Sequence, residues 1–211
     1  IYTTISSRSF MTYMGIGDCY MRLDVRQTEQ INEKTAAITE AMARDESISR
    51  YTVLTSRMFE MQMEDGSMQR LKVELGDHGA FTVVYSKGQR AEADTDIAIS
   101  ALVADDIEKG VGDEIDLMID GQLRRLTICG IYSDITNGGK TAKAVFQTDQ
   151  ADILWSVIPV EFHDNSVVDA KVSEYQERFS FAKVSNIDDY IDQSFGSMTA
   201  GIKKAANAAI A

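Results

Sequence analysis

The sequence predicts an α+β protein: a ferredoxin-like layer, made of two strand–helix–strand units near the two ends of the chain, is split by an inserted small β-rich subdomain with one helix. Three observations carry this. Period-two alternation passes into helical spacing and back again near each end. The stretch between is β-patterned and punctuated by Asp-Gly, Gly-Asp and Lys-Gly pairs. Right-handed crossovers place both helices on one side of a shared sheet. The expected boundaries are residues 1–64 and 151–211 for the layer and 65–150 for the insert.

In the first unit, YMRLDVR puts Tyr20, Arg22, Asp24 and Arg26 on one face and Met21, Leu23 and Val25 on the other, as in a half-buried strand. Thr28 can cap a helix with Glu29 in its first turn and Ile31, Thr35, Ile38 and Met42 on its stripe. A strand over about residues 51–63 follows, with Phe59, Met61 and Met63 sharing a face. The insert reads as the strands LKVEL, AFTVVY, EIDLMI and LRRLTICGIY, and Asp120-Gly121 is its strongest hairpin signal. Its helix takes Ser100 as cap, Leu102, Val103 and Ile107 as apolar face, and Gly110 as stop.

The second unit is the strand SVIPVEF, a helix capped by Asn165 or Ser166 with Val168, Val172, Tyr175 and Phe179 on one stripe, and the short strand FAKVS. A last amphipathic helix opens at Asn186 with Asp188 and Asp189 in its first turn, then Ile191, Phe195, Met198, Ile202 and Ala209.

Composition excludes several functions. Thirty-three Asp and Glu against 21 Lys and Arg give a net charge of -12, which repels a nucleic-acid backbone. No apolar run is long enough to span a bilayer, and no signal-peptide pattern is present. The start at Ile1 and the Ala-rich end AANAAIA read as cuts in a longer product. Two cysteines do not make a disulfide framework. Cys129 reads as a buried free thiol, while a Cys19–Cys129 bridge, and with it the compartment, stays open.

The segment GIYSDITNGGKT ends like a phosphate-binding loop, but the first required glycine would fall at Asp134, and the strand-like TAKAVF follows instead of a helix. A Gly-rich connection between strands is the better reading. His78 and His163 stand apart from any zinc-ligand spacing, and Met58, Met61, Met63 and Met68 are packing residues before they are a copper surface. The pairs Asp94/Asp96, Asp105/Asp106 and Asp188/Asp189 fall in a turn, on a polar helix face and in a first helical turn, and no Gly-x-Ser-x-Gly elbow occurs. The expectation is a protein that is not an enzyme and has no cofactor or metal.

The succession Gly88, Asp96-Ile97-Ala98-Ile99-Ser100, Gly112-Asp113-Glu114-Ile115 and Leu126-Thr127-Ile128-Cys129-Gly130-Ile131-Tyr132 resembles the extracytoplasmic domain of MacB/FtsX-type ABC transporter permeases. Residues 136–143 are similar to a loop in a subset of them. The resemblance implies a porter-like βαβ subdomain split around a β-rich one, with a transmembrane helix before Ile1 and another after the 194–211 helix. It implies placement on the extracytoplasmic side of the cell membrane and a cytoplasmic ABC ATPase as partner, with a second permease copy or an extracytoplasmic protein as further partners. The domain would couple ATP hydrolysis, through the membrane helices, to export or to a partner protein. Asn137, Gly138, Gly139, Lys140 and Thr141 become candidate partner contacts, Lys203 and Lys204 would sit near headgroups, and proline or paired glycines near Met198 would uncouple ATP hydrolysis from transport while leaving the domain folded. The alternatives are a sensory ectodomain of a peptide-sensing permease and, from GGKT alone, a nucleotide-binding protein.

Overall fold

The computed structural model describes residues 8–150 and 152–193. In chain order its elements are α1 (Arg8–Tyr13), β1 (Met21–Arg26), α2 (Ile31–Met42), β2 (Ile48–Tyr51), β3 (Leu54–Gln62), β4 (Met68–Leu75), β5 (Tyr85–Gly88) and β6 (Asp96–Ser100). There follow α3 (Ala101–Ile107), β7 (Glu114–Ile119), β8 (Gln122–Tyr132), β9 (Thr141–Ala144), β10 (Trp155–Phe162), α4 (Val168–Arg178) and β11 (Lys183–Asn186). Residues 187–193 are helical. The protein is α+β, as its patterning predicts.

The two terminal units share one antiparallel sheet in the order β11-β1-β10-β2. Met21, Leu23 and Val25 face the same way as Ile158, Val160 and Phe162, and against them pack Ile31, Ile38 and Met42 of α2 with Val172 and Tyr175 of α4. The period of each helix thus meets the period of the sheet in a single core.

The middle strands close into a ring that local patterning does not disclose. β3 pairs β4, β4 pairs β9, β9 pairs β6, β6 pairs β8, β8 pairs β7, and β7 returns to β3, making a six-stranded barrel. Phe59, Met61, Val73, Ile97, Leu117 and Ile128 fill it, and Val103 and Ala104 of α3 belong to the same core. β3 belongs to both bodies: residues 54–56 pair with β10, and residues 60–62 pair with β7. Sheet and barrel are therefore one continuous hydrogen-bonded surface, and the helix-bearing face of the sheet runs on into the barrel interior.

Several local expectations are corrected. The strand expected over residues 51–63 is two, β2 and β3. Of AFTVVY only Tyr85 enters a strand. Phe81 instead joins a cluster with Met11 and Ile191, and the Val84 N–H donates to the Thr12 carbonyl at 2.8 Å. α2 starts after Gln30, in the left-handed region at φ 58°, and Thr28 accepts from Lys34 Nζ at 2.8 Å rather than capping. Ser100 caps α3 as expected, accepting from the Val103 N–H at 3.4 Å, but the left-handed residue that ends it is Glu108, at φ 55°, not Gly110. Before α4, Asp164 accepts from the Ser166 N–H at 2.9 Å, a role expected of Asn165 or Ser166. Asn186 does cap the final helix, accepting from the Asp189 N–H at 2.7 Å. Phe195, Met198, Ile202, Lys203, Lys204 and Ala209 lie outside the described residues.

Gly88 has a steric reason. A Cβ there would lie 2.1 Å from the Cys129 carbonyl oxygen, and its φ of 67° suits glycine. Gly130 is held likewise, 2.1 Å from the Gln89 oxygen, so β5 and β8 approach more closely than side chains allow.

Candidate functional site: a charged joint under the terminal segments

The alternation of YMRLDVR predicts a strand buried on one face only, yet five of the six residues of β1 are buried. Its second face is covered because the pairing register carries it across the molecule. Arg26 lies opposite Trp155, Trp155 opposite Ser56, Ser56 opposite Glu74, and Glu74 opposite Lys143. This polar face therefore extends from the sheet over the barrel exterior. Both ends of the described chain lie on it: Met11, Ile16 and Cys19 from the N-terminal side cluster with Ile187, Tyr190 and Ile191 from the C-terminal side, together with Phe81. Backbone bonds pin the cover, from Ile187 N–H to the Tyr20 carbonyl at 3.0 Å and from Ile135 N–H to the Met14 carbonyl at 3.2 Å.

Charge is buried beneath that cover. Arg22 Nε donates to both carboxylate oxygens of Asp24, at 3.0 and 3.1 Å, and its guanidinium lies 4.5 Å from the Tyr190 ring centroid. Burial alone would lower the Arg22 pKa, but Asp24 holds it above the ordinary value. Lys143 Nζ donates to Glu74 Oε1 at 2.6 Å. Burial opposes the Glu74 charge, and the Lys143 ammonium overcomes it, bringing the carboxyl down to about 2. His78 Nε2 donates to the Glu74 carbonyl at 3.0 Å, with Nδ1 3.9 Å from Glu74 Oε1. Burial first, and Lys143 second, push its pKa down to about 4, so the ring is neutral.

The joint should therefore loosen in acid. An unfolded imidazole takes its proton near pH 6.5 and the folded one near 4, so stability is full above 6.5 and declines between those values, by about 3 kcal/mol in all. Glu74 has the same sign, its contribution falling as pH drops from about 4.5 towards 2. Thermal melts across pH 7 to 4 should show the first decline, and His78→Gln should flatten it; an unchanged slope in that variant would remove His78 from the joint.

The Gly-rich loop lies at the barrel side of this face. Asp134 Oδ1 accepts from the N–H and the hydroxyl of Thr136, at 2.6 and 2.7 Å, and its Oδ2 accepts from the Thr141 hydroxyl. A carboxylate thus occupies the loop where a phosphate cradle would need donors, and Thr141 opens strand β9. Residues 137–139 form a 3-10 turn, in which Gly138 and Gly139 have φ of 76° and 77°. Of the predicted contact residues, Gly138 and Lys140 are exposed, with Lys140 paired to Asp106; Gly139 is buried beside Leu102. Thr141 is buried and, with its own hydroxyl proton directed at Asp134, accepts from the Tyr132 hydroxyl at 2.7 Å.

Cys19 is buried, Cys129 is half-buried, and the two are not joined by a disulfide. Among the described residues, no group of three or more His, Cys, Asp or Glu side chains could hold a metal ion, and no helix is long and apolar enough to cross a membrane.

No family profile matches the chain, and no curated protein matches it. Solved structures do. The chain is similar to the periplasmic region of MacB from Actinobacillus actinomycetemcomitans, at 12% identity over 86% of this chain and 94% of that one, with a TM-score of 0.55. It is also similar to the extracellular domain of the noncanonic ABC-type transporter YknZ from Gram-positive bacteria, at 10% identity over 79% of this chain and 100% of that one, with a TM-score of 0.50. The fold is therefore one used by the outer domains of ABC-type transporters. In particular, it is the MacB-like periplasmic fold.

Proposed function

We propose that this chain is the extracytoplasmic domain of an ABC transporter permease subunit, moved by ATP hydrolysis in a cytoplasmic ATPase so as to export a substrate or act on a partner protein. The supporting observation is that both ends of the described chain are seated on one buried charged face, shared by sheet and barrel. A displacement arriving along either end meets ion pairs and backbone bonds, so both bodies would follow it. In this reading residues 1–64 and 151–211 form the porter-like layer and residues 65–150 the insert, with β3 shared by the two, and membrane helices continue from both ends. The layer is ferredoxin-like, each of its strand–helix–strand units contributing a helix to one face. A second permease copy or an outer partner would meet the exposed part of the Gly-rich loop, at Gly138 and Lys140.

Location is testable directly. Leu123 sits on the β7–β8 hairpin and is 46% exposed. In intact cells making the full-length protein, a Leu123→Cys variant should react with a membrane-impermeant maleimide as completely as after lysis. Reaction only after lysis would place the domain on the wrong side of the membrane and defeat the proposal.

A further inference from the structure

The seam between sheet and barrel is open along β3. Residues 54–56 pair with β10 and residues 60–62 with β7, so between these stretches β3 has a strand on its β4 side only. A side chain fills the gap. Gln150 Nε2 donates to the Met58 carbonyl at 3.1 Å, as the peptide N–H of a neighbouring strand would, and Arg57 Nε donates to the Gln150 carbonyl at 2.9 Å. At this seam lies a cleft of about 770 Å³, a size that ligand pockets commonly have. Its apolar lining is Met58, Met118 and Leu154, all half-buried, with the buried Phe59. Methionine side chains adapt readily to the shape of an incoming group. Around them stand four exposed carboxylates, Glu60, Asp120, Asp149 and Asp152, against one guanidinium, Arg70, which lies opposite Glu60 on β4. Asp120 accepts from the Thr148 hydroxyl and the Asp149 N–H, at 2.7 and 3.1 Å. Asp149 and Asp152 form no ion pair among the described residues. The cleft is therefore negative around an apolar floor.

We propose that this cleft is the docking site of a partner protein's extended basic segment, in which a large apolar side chain stands between lysines or arginines. The apolar side chain packs against Met58, Met118 and Leu154, and the cations meet Glu60, Asp149 and Asp152. A backbone N–H of the segment takes the place of the Gln150 amide at the Met58 carbonyl, exchanging one hydrogen bond for another. Burial of the apolar anchor supplies affinity, and the excess of carboxylates selects against acidic segments, because like charges brought together oppose docking. The proposal does not rest on the permease reading, and the cleft shares no residue with the Gly-rich loop.

Calorimetric titration of the chain at physiological ionic strength compares a short synthetic peptide of alternating lysine and leucine with the same peptide carrying glutamate for lysine. The lysine peptide should bind saturably, and the glutamate peptide should not. Glu60→Gln with Asp152→Asn should weaken binding about tenfold, and Met118→Asn, which spares every charge, by a similar factor. Glu40→Gln with Asp105→Asn removes the same charge from exposed sites outside the cleft and should change binding by less than about twofold. All the replaced side chains are exposed or half-buried, so the fold should persist, and matching melting curves verify it. No saturable binding of the lysine peptide, equal binding of the two peptides, equal losses in the cleft pair and the remote pair, or undiminished binding in both cleft variants overturns the proposal.

Discussion

Lys143→Met is expected to destabilise the fold by about 3–5 kcal/mol, because it leaves the Glu74 carboxylate in the joint without its ammonium. In a domain of this size the melting temperature should fall by roughly 10 °C. The side chain is 7% exposed and also lies 5.2 Å from the Tyr132 ring, so methionine keeps most of the packing and removes chiefly the charge. If stranded charge is the cause, adding Glu74→Gln should restore the greater part of the loss, since a neutral amide asks for less than a carboxylate. Denaturant melts of the two single variants and the double variant give the coupling directly. Additive losses would mean that the pair does not act as a unit.

Asp192→Pro is expected to disconnect the domain from whatever moves its C-terminal end. Residue 192 is exposed, within the helical stretch 187–193, and beside Ile191, which is buried in the cover over the joint. Proline there removes a backbone donor and clashes with the preceding turn, costing about 3 kcal/mol in a helix interior. The sheet, the barrel and their cores contain no part of this turn, so the folded body should persist. Coupling between separated sites is commonly worth 1–3 kcal/mol, and its loss should reduce ATP-driven movement roughly tenfold or more. Asp192→Ala, which keeps the helix, should behave as the native protein.

Both strand–helix–strand units were legible because their signals are local: YMRLDVR and SVIPVEF alternate, and Ile31, Ile38, Val172 and Tyr175 recur at helical spacing. Barrel closure was not legible. It depends on β7 returning to β3 and on the parallel pairing of β4 with β9, contacts between residues far apart in sequence. The joint was hidden for a related reason. Arg22, Asp24, Glu74 and Lys143 occupy the polar positions of alternating strands, where solvent is the ordinary expectation; the cover supplied by the chain ends and Phe81 leaves Glu74 half-buried and the other three buried. In AFTVVY the two apolar side chains go different ways: Phe81 joins the chain-end cluster, while Val83 packs with Ala98 and Tyr132 of β6 and β8. The Gly-rich loop connects two strands, as the strand-like TAKAVF after it predicts, whereas Thr141, at the end of the GGKT run, begins β9 and bonds inward.

If the domain is driven as proposed, the most direct measurement follows it in the full-length protein reconstituted with the cytoplasmic ATPase that the proposal requires. Energy transfer from a dye on Leu123→Cys to acceptor lipids in the bilayer reports the height of the barrel above the membrane. ATP turnover should change that transfer in the otherwise native protein, and Asp192→Pro should abolish the change while hydrolysis continues. Steady transfer during hydrolysis, or a full change in the proline variant, would contradict a domain driven through its terminal segments.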